Sequence, residues 1–61
     1  MEAYERLKKL VAEVDDDMQK AMGGNRAAGT RVRQAMQAVK EAAQEIRAGI
    51  LEQRKKEEAS G

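Results

Sequence analysis

Gly23-Gly24-Asn25 is the one strong break in a chain that contains no proline, and it decides the architecture. A glycine in the positive-φ conformation ends a helix cheaply, because it has no Cβ to clash with the preceding carbonyl. Gly23 or Gly24 can serve in that role. Asn25 can then cap a following helix, its side-chain oxygen accepting from a free amide of the first turn. The break therefore predicts two helices joined by a very short turn, which forces them to run antiparallel.

The flanking segments carry the matching pattern. From about Glu2 to Met22, Tyr4, Leu7, Val11, Val14, Met18 and Ala21 recur in alternating steps of three and four, with Leu10 and Met22 widening the stripe. That is a heptad seam on one helix face. Asp15-Asp16-Asp17 has low helix propensity. The seam runs through it at Val14 and Met18, so the helix is expected to be unbroken. From about Arg26 to Lys56, three rows repeat every seven residues. They are Val32, Val39 and Ile46; Ala28, Ala35, Ala42 and Gly49; and Met36, Ala43 and Ile50. Gly29 and Gly49 each cost about 1 kcal/mol inside a helix relative to Ala. Close packing on the small-residue row would offset that cost.

Folding the chain at Gly24 sets Met18 near Val32, Val14 near Ala35, Val11 near Val39, Leu7 near Ala42 and Tyr4 near Ile46. Helix two is the longer and overshoots, so Ile50 and Leu51 lie beyond helix one. Three adjacent apolar rows make a face broader than one helix can cover. The expected fold is an all-α antiparallel helical hairpin, a short helix followed by a long one. It is expected to dimerise into a helical bundle or coiled coil. Residues 1–58 form the hairpin, and residues 59–61 are expected to be a disordered tail.

The totals narrow the chemistry. Sixty-one residues make one small domain, and a chain of that size buries only about 60% of its surface alone, which favours oligomerisation. Without cysteine or histidine there is no disulfide, no thiolate metal site and no imidazole base. The hydroxyls of Thr30, Ser60 and Tyr4 lack a base to activate them, so an enzyme is not expected, nor any cofactor or metal. No apolar run approaches the ~20 residues of a membrane span, and the charged start does not resemble a signal peptide. A cytoplasmic protein is expected, with no membrane partner and no small-molecule substrate. The balance of 12 basic and 11 acidic residues hides an asymmetry. Residues 1–22 carry four basic and six acidic side chains, and residues 26–61 carry eight and five.

Arg26, Arg33, Lys40, Arg47 and Arg54 stand seven apart without a miss. Seven residues are two helical turns, so these side chains share one edge at intervals of about 10 Å. Arg31 and Lys55-Lys56 add charge at the ends. Such a row can track a phosphate backbone with salt-dependent, sequence-independent affinity. It can equally be the solvated flank of a coiled coil, with Glu41, Glu45 and Glu52 as local partners. Asp15-Asp16-Asp17 splay around the axis and lack a calcium-loop pattern. The hairpin register brings Asp15 and Asp17 close to Arg33 and Arg31, so ion pairing is expected. Met18, Met22 and Met36 read as core, and Tyr4 as a seam residue with its hydroxyl at the bundle end.

Gly24-Asn25-Arg26-Ala27-Ala28, two further residues, then Arg31-Val32-Arg33 resembles the most recognisable motif of the chlamydial linker-histone-like nucleoid proteins. Leu7, Leu10 and Met18 fall where that family has apolar residues, and the resemblance covers roughly residues 5–50. It departs at Gly29, where the family usually carries alanine or a similar helix former. The long Lys/Ala/Pro-rich tail associated with much of that family's DNA binding is absent from these 61 residues. The resemblance implies a bacterial nucleoid protein that binds DNA architecturally and condenses chromosomes. It also implies self-association through the helical part. Arg26, Arg31 and Arg33 are the matched basic residues, and Lys40, Arg47 and Arg54 extend the set along the edge.

The expected function is thus histone-like DNA binding through phosphate contacts, by a homodimer or possible tetramer, and nucleoid organisation. Two rivals fit the same residues. One is a homo-oligomerising coiled-coil adaptor for another protein's helix. The other is a hairpin dimer that grips structured RNA.

Overall fold

A computed structural model describes the backbone of residues 1–60 and the side chains of residues 1–57. It contains two helices, α1 (Glu2–Met22) and α2 (Arg26–Ser60), packed side by side as an antiparallel hairpin. The chain measures 54 × 14 × 13 Å, so its length is that of α2 alone. At ~1.5 Å per residue, a helix of 35 residues accounts for that dimension. α2 continues past Lys56 to Ser60. Of the tail expected at 59–61, Gly61 lies outside the described residues.

The turn is built from interlocking caps. Gly24 takes φ +98°, while Gly23 remains at φ −82°. The Gly24 amide donates to the Ala21 carbonyl at 3.0 Å, and the Asn25 amide reaches back to the Lys20 carbonyl at 3.0 Å. These two bonds satisfy carbonyls that the end of α1 would otherwise leave bare. Asn25 then turns to α2. Its side-chain oxygen accepts from the Ala28 amide at 3.0 Å, and its carbonyl accepts from the Gly29 amide at 3.1 Å. One residue closes the first helix and opens the second. Within α1, Glu2 and Glu5 occupy the first turn and Lys20 the last, each favourable to the helix dipole.

Three cross-helix contacts fix the register. Asp17 meets Arg31 near the turn, and Arg6 meets Glu45 further along. A Cβ built on Gly49 would stand 3.0 Å from the Met1 methyl group. These agree with the pairing expected from folding at Gly24. The face that α1 turns inward differs from the expected one. The residues shielded from water are Ala3, Leu7, Leu10, Val14, Asp17 and Ala21, again in steps of four and three. Tyr4, Val11 and Met18 are 49%, 51% and 40% exposed. The apolar stripe is wider than α2 can cover, and a rotation of α1 trades that row for Leu10 and for the Asp17–Arg31 pair. The buried core is small: Val14 on α1, and Ala28 and Ala42 on α2.

The glycines separate by role. A Cβ on Gly29 would meet nothing within 4 Å, so no close approach holds glycine there within the hairpin. Gly29→Ala is expected to stabilise the hairpin by about 1 kcal/mol. Gly24→Ala must place a Cβ at positive φ and is expected to destabilise it by about 1–2 kcal/mol. Thermal melts followed by circular dichroism check both; a neutral Gly24→Ala would contradict the cap.

Candidate nucleic-acid interface

The basic row stands on the exposed surface of α2. Arg26, Arg33, Lys40, Arg47 and Arg54 are all exposed, and α2 is continuous beneath them. From Arg26 to Arg54 the row runs ~42 Å along the axis. Among the described residues no ion pair engages any of the five. The local partners expected for them are otherwise disposed. Glu45 lies 3.5 Å from Arg6 of α1. Neither Glu41 nor Glu52 forms an ion pair among the described residues.

Arg31 does not join this row. It lies two positions before Arg33 and so projects from nearly the opposite side of the helix, about 200° away. There it forms a two-pronged contact with Asp17 across the hairpin, Nε to one carboxylate oxygen at 3.1 Å and Nη2 to the other at 2.9 Å. The guanidinium fork matches a carboxylate in this geometry. The Asp15–Arg33 pairing expected from the register does not form. Asp15 accepts from the Gln19 side-chain amide at 3.2 Å, and Asp16 meets Lys20 at 3.1 Å. The three successive carboxylates therefore point to three different partners, as about 100° per residue requires. Among the described residues no cluster of three acidic side chains could hold a metal ion.

No heptad row signals the Arg6–Glu45 bridge, although the hairpin register itself places those two residues level. Tyr4 is likewise not a covered seam residue. Its ring carries the Lys8 ammonium at 4.9 Å from the centroid, a cation–π contact on the surface. Lys8 also meets Glu5 at 3.2 Å. Among the described residues no helix is long and apolar enough to cross a membrane.

The Arg31 hydrogen bonds hold the Asp17 carboxyl below its ordinary value of 3.8, partial burial opposes the shift, and the charges of Arg31 and Lys20 reinforce it. A carboxyl whose folded pKa is depressed adds stability above its unfolded pKa, and that stability disappears as pH falls through the folded value. Asp17→Asn is therefore expected to lower the melting temperature at pH 7. The gap between the two proteins should close as pH drops below about 4. A gap unchanged from pH 7 to pH 2 would show that the charge of Asp17 contributes nothing.

The family model for histone H1-like protein Hc1 matches residues 1–56. No curated protein and no solved structure matches the chain. The matched span takes in the Gly-Gly-Asn turn, the whole of α1 and the full basic row of α2. The chain belongs to the histone H1-like Hc1 family.

Proposed function

We propose that this chain is a histone-like architectural DNA-binding protein that holds duplex DNA by its phosphate backbone and organises the nucleoid. Family membership supports DNA binding of the histone H1-like kind. The observation that carries the finer reading is the exposed basic row along α2, which no carboxylate of the described residues neutralises. Within one hairpin, Arg26, Arg33, Lys40, Arg47 and Arg54 can each approach a phosphate without first breaking an ion pair. Arg31 contributes near the turn by exchanging Asp17 for phosphate. That exchange is inexpensive, because exposed ion pairs are worth only ~0–1 kcal/mol. Evenly spaced cations on one helix edge engage the phosphate backbone, which carries no sequence information, so the binding tolerates any sequence.

The working unit is a homodimer. Among the described residues no apolar side chain is buried apart from Val14, Ala28 and Ala42, and Tyr4, Val11, Met18, Met36 and Ile50 remain exposed on one hairpin. A second copy covers them and doubles the basic surface. The same exposed face also favours a second reading, an adaptor that binds another protein's helix.

A titration against random-sequence duplex DNA over a range of salt separates the two readings. The histone-like reading expects affinity to fall with salt, the logarithmic slope being about −0.9 per phosphate engaged. Changing Arg33, Lys40 and Arg47 to Ala should flatten the slope by about 3 without loss of helicity. A wild-type protein that ignores duplex DNA at low salt would remove DNA from the account and favour the adaptor.

A further inference from the structure

The hairpin has two unlike sides. Take the rows that meet across the hairpin as the reference: Leu7, Val14 and Ala21 on α1, and Ala28, Ala35 and Ala42 on α2. At about 100° per residue, Leu10, Asp17, Arg31 and Glu45 all stand about 60° to one side. The two cross-helix ion pairs lie along that edge. On the other side, Tyr4, Val11 and Met18 stand at about 40° on α1, and Val32, Val39 and Ile46 at about 40° on α2. Met36, Ala43 and Ile50 follow at about 100°. The ionic edge is closed and the apolar face is open. The outer rims of the open face carry opposite character. Along α2 the rim is the basic row. Along α1 it holds Glu5, Asp15 and Gln19, with Lys8 the one cation.

Resting on the homodimer above, two twofold arrangements bring this face against its own copy with all four helices aligned. With the axis perpendicular to the helices, α2 lies beside the partner's α2. The two basic rows then face each other along their whole length, and so do the two α1 rims with Glu5 and Asp15. With the axis parallel to the helices, α2 lies beside the partner's α1. The established register pairs positions whose numbers sum to about 50, so Arg33 faces the partner's Asp15, and Arg47 the partner's Glu5, each from about half a turn away. Lys40 comes level with the partner's Leu10, about half a turn from the partner's Lys8, the single like-charge approach. We propose the second arrangement: two hairpins joined through the open face, both turns at one end, each α2 seated against the partner's α1. Val11 and Val39 of both copies then form one layer of the bundle, as do Tyr4 and Ile46. The basic rows run along opposite edges of the dimer.

The chain has no cysteine, so single introduced ones can be labelled uniquely. Spin labels at Gln53→Cys, on the overhang of α2, and at Thr30→Cys, near the turn, report the arrangement directly. The proposal expects a distance below about 30 Å between equivalent labels at both sites, because the two α2 helices lie diagonally across one bundle. The perpendicular axis expects about 45 Å or more at Gln53. That result would overturn the arrangement while leaving the dimer and its DNA binding intact. A monomer with no dipolar coupling would overturn the dimer itself, whatever the duplex titration shows. As an independent readout, changing Glu5 and Asp15 together to Lys should raise the dimer dissociation constant roughly tenfold. Circular dichroism confirms that helicity is kept. An unchanged dissociation constant contradicts the opposed rims.

Discussion

Everything in this molecule depends on a turn that two residues close. Gly24 supplies the positive φ, and Asn25 serves as the last acceptor-satisfying residue of α1 and the first cap of α2. A looser connection would let the helices slide past one another by a turn. This one sets a single register, seen at Asp17–Arg31 near the turn and again at Arg6–Glu45. Because the register is fixed at one end, the overshoot of α2 at the other end is fixed too.

The second constraint is the width of the apolar surface. One helix can cover only part of a face three rows broad. α1 therefore settles with Leu7, Leu10 and Val14 inward, leaving the Tyr4, Val11 and Met18 row beside the seam. The small side chains of Ala28 and Ala42 let the helices come close, but they bury little apolar area. A core of that size does not stabilise a 61-residue chain by itself. The exposed row is the physical argument for the proposed second copy. The basic row beside it ties any DNA contact to the geometry of that assembly.

Much of this was legible in the residues. The turn chemistry of Gly23-Gly24-Asn25 gives the hairpin, and counting outward from it gives the register, because antiparallel helices joined by a three-residue turn have little freedom to slip. The rotation of each helix about its own axis was not legible. Periodicity identifies which residues share a face but not which part of a wide face turns inward. The Asp17–Arg31 pair influences that choice, and its geometry depends on side chains from both helices. The same gap explains Arg31. The family motif groups it with Arg26 and Arg33, whereas helical geometry sends it to the opposite side, where Asp17 engages it as the hairpin register leads one to expect. The even spacing of Arg26, Arg33, Lys40, Arg47 and Arg54 survives intact, since it needs only a continuous α2.

On the proposed function, a pair of these hairpins, and not a single one, engages duplex DNA. Sedimentation equilibrium of the protein, alone and mixed with a short random-sequence duplex at low salt, tests it most directly. The account predicts a free species of twice the 6.8 kDa chain mass and duplex complexes that gain mass in steps of two chains. A free species of one chain mass, or complexes that grow by single chains, would contradict it.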